Sequence, residues 1–200
     1  MQRGLLGFSL LVLAAGTTVL ALTFQHDGLA LSLWALGSAA VWAAGGAVLL
    51  RCSEVPDCRG SRRWKSVLVA AVVLLCAGSF CGALVAEQVP VLSGFVADAV
   101  QTRTGAPWVV LGSALVAGMA EELFFRVGLR RLLPARWFVA ASTAAYVLCT
   151  LATGNAALVL MAAILGMACA LVLEYTGRPW APVLLHASWS LVMVGLYPLV

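Results

Sequence analysis

The sequence predicts an all-α membrane protein, a helical bundle with about seven transmembrane helices. Of its 200 residues, 63% are hydrophobic and only 10% are charged, and the mean hydropathy is +1.04. A soluble domain has roughly 25% charged residues. The apolar residues form runs of a length that crosses a bilayer as a helix, which takes about 20 residues. The lipid bilayer is therefore the expected surrounding of most of the chain.

Seven apolar runs are predicted to span the membrane. The first follows Arg3 and resembles a secretory signal, but its length and the lack of a small-x-small cleavage site favour a span. The predicted spans are residues 4–24, 28–50, 66–86, 106–128, 136–153, 156–174 and 181–199. The outer loop 87–105, which contains Pro90, has room for a short interfacial helix.

The two halves of the chain differ in their polar content. Residues 1–105 are predicted to hold three plain transmembrane helices and a basic cytoplasmic loop, 51–65. Residues 106–200 are predicted to form a four-helix core that carries the polar site. All chemically unusual residues of the predicted spans lie in this second half.

The positions of Lys and Arg predict the orientation of the bundle. With seven spans, ten of the 12 basic residues fall on one side of the membrane, Arg103 falls on the other, and Arg126 lies within a span. Because cytoplasmic loops are enriched in Lys and Arg, this bias predicts a multi-pass protein of the cell membrane with a cytoplasmic N-terminus and an outside C-terminus. It also explains the net charge of +4, so no nucleic-acid partner is expected.

The six cysteines do not predict a disulfide framework. Four of them fall inside spans and are expected to pack as small apolar residues: Cys76, Cys81, Cys149 and Cys169. Cys52 and Cys58 share the basic loop, where thiols stay reduced. Because a structural zinc site needs four ligands, this pair alone does not predict one.

Two adjacent glutamates and an arginine stand out in the fourth span. If Leu111 to Leu133 is helical, Glu122 and Arg126 share a face and can pair, whereas Glu121 is rotated away and remains free to face a cavity. Glu121 would lie ~14 Å below the membrane boundary at 1.5 Å per residue. A charge at such depth costs about 2.5–3.5 kcal/mol, so intramembrane ionisable groups usually have a function. The alternative is a structural ion pair with Glu121 protonated.

Small residues precede the two glutamates by one and two helical turns. They are Ser113, Ala114, Ala117 and Gly118. Small side chains let a second helix approach closely within a membrane, so this face of the span is predicted to be packed rather than exposed to lipid.

A histidine in the last span is the second unusual feature. His186 is the only histidine in any predicted span, and it follows Pro182, which suits the first turn of a helix. Ser190 lies four residues later on the same face, with Trp189 beside it. His186 and Glu121 are both near the cytoplasmic side, so they can meet. Taken alone, His186 also fits a buried histidine with a satisfied hydrogen bond.

These residues resemble those of a known family. The run from Glu121 to Arg126 resembles the Glu-Glu-x-x-x-Arg motif of the CPBP intramembrane proteases, which include CAAX prenyl proteases and bacteriocin-processing, Abi-like relatives. The run from Glu174 to His186, with its Thr-Gly-x-x-Trp-Ala-Pro sequence, looks like the stretch that leads into the last motif of that family. The resemblance covers about residues 105–195.

The resemblance implies a glutamate-dependent endopeptidase whose site lies below the cytoplasmic membrane surface. It implies that Glu121 activates a water molecule, that Glu122 and Arg126 support it, and that His186 and Ser190 surround the oxyanion. It also implies a metal-free mechanism, and the spans hold few ligand-type residues. We therefore expect no metal and no cofactor, and a peptide or lipidated protein as substrate.

Two positions depart from the motifs of the family. The middle motif, Phe-x-x-x-His, has its best counterpart in Tyr146 to Thr150, and the last motif, His-x-x-x-Asn, ends in Ser190. Serine still donates a hydrogen bond, but threonine does not accept a proton at neutral pH. Loss of an acid–base partner typically lowers a rate by about 10²–10⁴-fold. Tyr146, Thr150 and Trp189 are predicted as supporting or substrate-binding residues.

Three functions remain open on the sequence. The first is an endopeptidase for membrane-associated substrates. The second is a catalytically inactive family member, with a degenerate middle motif, that acts as a membrane binding, chaperone or immunity protein. The third, a small transporter or proton channel, is disfavoured because the outer halves of the spans carry almost no polar residues.

Overall fold

The computed structural model describes residues 2–52, 60–101 and 106–199, and within these ranges the chain is helical and contains no strand. Arg59, Cys58 and Arg103, which entered the predictions above, lie outside the described residues. The helices are α1 (Gln2–Thr23), α2 (Gly28–Cys52), α3 (Trp64–Glu87), α4 (Pro90–Gln101), α5 (Pro107–Glu121), α6 (Ala135–Leu151), α7 (Ala156–Thr176) and α8 (Trp180–Ser190).

Five helices of the described chain are long and apolar enough to cross a membrane. They are α1, α2, α3, the helical stretch Pro107–Arg131 and α7. Two further apolar helices are shorter, Ala135–Leu151 and Trp180–Leu196. At 1.5 Å per residue, 17 residues extend ~25 Å, less than a hydrocarbon core of about 30 Å. A helix, α4, occupies part of the predicted outer loop.

The fifth and eighth helices change their hydrogen-bonding pattern part of the way along. The sequence predicted a continuous helix from Leu111 to Leu133, but α5 ends at Glu121 and continues as a π-helix over Glu122–Gly128 and a 3₁₀ turn over Leu129–Arg131. In the same way α8 continues as a π-helix over Leu191–Leu196. A π-helix bonds each residue to the fifth along and is often found at functional sites. Apolar periodicity does not reveal it.

Glycines allow the helices of the two halves to approach closely. A Cβ atom on Gly46 of α2 would lie 2.8 Å from Cγ of Leu123 and 3.0 Å from its carbonyl oxygen. A Cβ on Gly45 would lie 3.0 Å from the ring of Phe124. The buried Trp42 packs against Phe124, with ring centroids 5.3 Å apart. The main hydrophobic core is therefore shared between α2 and the segment that carries the glutamates.

Basic side chains tie several helices together at one end of the bundle. Arg130 forms an ion pair with Glu174 near the end of α7. Arg131 donates from Nη1 to the carbonyl oxygen of Leu50, 2.8 Å away, near the end of α2. The loops that the sequence predicted to be cytoplasmic thus meet at a common end.

The cysteines inside the helices differ in burial. Cys149 and Cys169 are buried in the core, Cys76 is half-buried, and Cys81 is exposed on the surface of α3. Packing in the core thus applies to the cysteines of α6 and α7, whereas Cys81 faces outward. The reason is that α3 has few buried residues and lies at the edge of the bundle.

Candidate active site

A buried carboxylate connects an arginine and a histidine at the centre of the site. Glu122 and Arg126 are both fully buried, and Arg126 Nε lies 3.4 Å from Glu122 Oε2. The other oxygen of Glu122, Oε1, lies 3.0 Å from Nδ1 of His186. The pairing of Glu122 with Arg126 that the sequence predicted is present in the structure. A buried charge is tolerated only when it is paired, so these two partners account for the burial of Glu122.

The guanidinium of Arg126 also rests on aromatic rings. Its Cζ atom lies 5.1 Å from the ring centroid of Tyr146 and 5.8 Å from that of Phe125. Gly166 of α7 provides the space, because a Cβ atom there would lie 3.1 Å from Arg126 Nη2. Aromatic faces attract a desolvated cation by about 2 kcal/mol. The rings therefore offset part of the cost of burying this arginine.

Glu121 faces a cavity instead of the ion pair. The cavity has a volume of about 170 Å³, and Glu121 lines it together with five other predicted site residues: Tyr146, Thr150, His186, Trp189 and Ser190. The hydroxyl of Tyr146 donates a hydrogen bond of 2.7 Å to Glu121 Oε2. From the sequence, Glu121 was expected to have no hydrogen-bond partner, and the Tyr146 hydroxyl was not identified as its donor. The available signal was a tyrosine at the position where the family motif has phenylalanine.

His186 contacts the second glutamate, whereas the sequence analysis expected it to meet the first. Its imidazole packs on Gly118, where a Cβ atom would lie 2.9 Å from both Cδ2 and Nε2 of the ring. Measured around the helix from Gly118, Glu122 lies about 40° to one side and Glu121 about 60° to the other, so Glu122 is the nearer in rotation. A ring that rests on Gly118 is therefore aligned with Glu122. His186 still lines the same cavity as Glu121.

Thr150 and Ser190 supply hydroxyl groups to the cavity. The Thr150 hydroxyl donates to the carbonyl oxygen of Tyr146, 2.9 Å away, one turn earlier in α6. Ser190 is buried one turn after His186. Thr150, at the position where the family motif has histidine, thus lies inside the site, but its hydroxyl is hydrogen-bonded to the backbone of its own helix.

The helices that the sequence analysis described as plain also contribute to the cavity. Thr23 lines it from the last turn of α1, Leu31 from the first turn of α2, and Ser38 from further along α2. Sequence reasoning missed these residues because serine and threonine are common inside membrane helices. Within the described ranges, no three His, Cys, Asp or Glu side chains are grouped as metal ligands.

Comparison with known proteins shows a similarity in the second half of the chain. Residues 103–192 match the family model described as type II CAAX prenyl endopeptidase, Rce1-like. Searches of curated proteins and of solved structures gave no match. All of the predicted site residues lie within the matched range. Together with the helices able to cross a membrane, the match indicates a multi-pass membrane protein. The segment 103–192, slightly less than half of the chain, is therefore similar to the Rce1-like type II CAAX prenyl endopeptidases.

Proposed function

We propose that this protein is a glutamate-dependent intramembrane endopeptidase that cleaves membrane-associated peptides or lipidated proteins near the cytoplasmic face. The observation that carries the proposal is the different environment of the two glutamates. Glu122 is engaged by Arg126 and His186, whereas Glu121 opens into the cavity with one hydrogen bond, from Tyr146. Only Glu121 has a carboxylate available to a water molecule and a peptide within that cavity.

In the proposed reaction Glu121 acts as the general base. Its carboxylate takes a proton from a water molecule, the water oxygen forms a bond to the peptide carbonyl carbon, and the carbonyl oxygen becomes an oxyanion. Glu121 then gives the proton to the leaving amine as the C–N bond breaks. The Tyr146 hydroxyl fixes the orientation of the carboxylate, and a well-positioned base of this kind typically contributes about 10²–10⁴-fold in rate.

His186 and Ser190 are proposed to stabilise the oxyanion. A protonated imidazole donates from Nδ1 to Glu122, 3.0 Å away, and keeps its Nε2–H as a second donor. Ser190 lies one turn later on the same lining and donates from its hydroxyl. Donors that are fixed before the reaction are usually the largest stabilising contribution in acyl transfer. Arg126 holds Glu122, and Glu122 in turn orients His186.

We further propose that all seven apolar helices cross the membrane, with the basic end of the bundle in the cytoplasm. The ion pair between Arg130 and Glu174 lies at that end, near the last turn of the glutamate-bearing segment. Residues 1–105 then provide three supporting helices, and residues 106–200 provide the catalytic core. In this arrangement the N-terminus is cytoplasmic and the C-terminus is outside.

A second candidate function rests on one observation, the hydroxyl of Thr150 at the position of the family's middle histidine. An alcohol is too weak a base to take up a proton at neutral pH, and the Thr150 hydroxyl donates its hydrogen to the backbone oxygen of Tyr146. Without turnover, the same cavity would hold a peptide or a lipidated protein, and the protein would act as a membrane binding, chaperone or immunity protein.

The two functions are separated by substitution of Glu121. The purified protein in detergent is incubated with quenched peptides, with and without a lipid-modified residue. We expect Glu121→Gln to lower the cleavage rate by about 10²–10⁴-fold, because the amide does not take up a proton. Glu87→Gln is the matched control, since Glu87 is an exposed glutamate of α3 that contacts Tyr197 and not the cavity. Equal rates for the parent protein and Glu121→Gln would contradict the protease proposal.

A further inference from the structure

A second, larger cavity adjoins the candidate active site. It has a volume of about 470 Å³ and is lined by residues of α3, α4 and α7 and of the segment from Trp189 to Tyr197. We call it the apolar groove. Its lining is aliphatic apart from a few groups such as Ser79 and Tyr197, and it shares Leu158, Met161 and Trp189 with the active-site cavity. These three side chains therefore lie between the active-site cavity, which holds the glutamate and histidine, and the apolar groove.

Of these three side chains, Trp189 has a polar anchor. Its indole Nε1–H donates to the hydroxyl oxygen of Ser79 at 3.2 Å. On its other side the indole meets the imidazole of His186 edge to face, with ring centroids 6.1 Å apart. One side chain thus touches both the proposed oxyanion donor and the lining of the apolar groove.

The anchor comes from a part of the chain outside the family match. Ser79 belongs to α3, whereas the match covers residues 103–192. The two glycines beside it, Gly78 and Gly82, leave the surrounding wall open, because a Cβ atom on either would meet nothing within 4 Å. Packing on this side of the groove is sparse. The hydrogen bond to Ser79 is therefore the specific contact that holds the half-buried indole against α3, since a Trp N–H away from water usually has an acceptor.

We propose that Trp189, held in place by Ser79, is a specificity-determining partition that limits the size of apolar substrate side chains next to the scissile bond. This inference rests on the proposed protease function. With the indole fixed, a bulky apolar side chain is kept out of the groove. When the bond is lost, the ring is free to move, the two compartments join, and the bulky side chain gains an apolar surface to occupy.

The test compares two quenched peptides that differ only in one residue beside the scissile bond, alanine in one and naphthylalanine in the other. For Ser79→Ala and for Trp189→Phe, we expect the ratio of kcat/KM for the bulky over the small peptide to rise about 10-fold, within the usual range of size discrimination by an apolar pocket. The double variant should give the same ratio as Trp189→Phe alone, because both changes remove one interaction.

Two further variants serve as controls. Ser79→Thr keeps the hydroxyl and should retain the parent ratio. Ser66→Ala removes an exposed hydroxyl from the same helix, away from the groove, and should also leave the ratio unchanged. With 5-fluorotryptophan incorporated, the ¹⁹F resonance that disappears in Trp189→Phe should shift in Ser79→Ala but not in Ser66→Ala.

The outcomes distinguish this inference from the proposed function. Cleavage that depends on Glu121 but has the same size ratio in all variants would overturn the partition and leave the protease proposal standing. An unshifted Trp189 resonance in Ser79→Ala would also overturn the partition. Absence of any Glu121-dependent cleavage in the parent protein would overturn the protease proposal and, with it, this inference.

Discussion

At the scale of single residues, the adjacent glutamates Glu121 and Glu122 have different surroundings. Glu122 lies between Arg126 and His186 and is fully buried, whereas Glu121 receives a hydrogen bond from Tyr146 and lines the cavity. An ion pair inside a membrane is costly unless it is complete, and Arg126 also uses the faces of two aromatic rings. Glu122 is thus occupied by Arg126 and His186, whereas the carboxylate of Glu121 remains accessible from the cavity.

The effect of Thr150 on the proposed reaction is open to a direct test. Thr150 lines the cavity at the position of the family's middle histidine. If this loss limits the reaction, Thr150→His should raise the Glu121-dependent cleavage rate by about 10-fold or more, because an imidazole accepts and donates protons near neutral pH. The rate is measured under single-turnover conditions with the same peptides.

The control for this prediction is Thr150→Gln. Glutamine is similar in size to histidine but does not accept a proton at neutral pH, so this variant should not raise the cleavage rate. A larger side chain in a packed site costs about 1–3 kcal/mol, so thermal unfolding of both variants is followed in parallel. A folded Thr150→His protein with the parent rate would show that the missing histidine is not what limits cleavage.

At the scale of helices, small residues decide which side chains meet. Gly46 brings α2 against Leu123, and Gly118 gives the imidazole of α8 a place on α5. The switch to π-helical bonding begins at Glu122, directly after the glutamate that faces the cavity. The sequence predicted close packing on the Ser113 to Gly118 face, but the change in helix type was not visible in its apolar pattern.

Gly118→Ala should disturb the site, because the backbone of Gly118 and the imidazole of His186 lie close together. Its methyl group would lie 2.9 Å from the imidazole of His186, so the ring or α8 must move. We expect a loss of about 1–3 kcal/mol in unfolding free energy, which exceeds the intrinsic helix gain of about 1 kcal/mol for Gly→Ala. Thermal unfolding in detergent and the cleavage rate are the two measurements.

Gly112→Ala is the matched control, because it lies in the same helix and a Cβ atom there meets nothing within 4 Å. Its stability should be equal to that of the parent or slightly higher. If both alanine variants had the same unfolding temperature and the same cleavage rate, the packing of His186 on Gly118 would be unimportant for the site.

At the scale of the whole molecule, helices from both sides of residue 105 pack together and line the candidate site. Trp42 of α2 packs on Phe124, and Ser38 of α2 lines the active-site cavity. Trp189 of α8 is bonded to Ser79 of α3. The helices outside the family match therefore close the site and anchor part of its wall.

The orientation of the whole bundle is tested with reporter fusions. Seven crossings with a cytoplasmic N-terminus place a reporter joined after Val200 outside the membrane. We expect alkaline phosphatase to be active and green fluorescent protein to be dark at that position, and the reverse for fusions before Met1. Fluorescence at both ends would mean an even number of crossings, so one of the two shorter apolar helices would not span.

The sequence by itself indicated an all-helical membrane protein and singled out the residues proposed to form its site. Long apolar runs predict membrane helices, because an unsatisfied backbone is too costly in lipid, and ionisable residues inside such runs are rare enough to mark a site. Helix periodicity also predicted that Glu122 and Arg126 pair. These are local properties, and each can be read from a single stretch of chain.

The tertiary structure decided which partner each group has. His186 bonds to Glu122 and not to Glu121, although both glutamates lie within about one helical turn of Gly118, on which its ring rests. The Tyr146 bond to Glu121 and the Ser79 bond to Trp189 join helices that are distant in the sequence. Such contacts depend on how helices cross and on where glycine allows them to approach, and no local pattern specifies that.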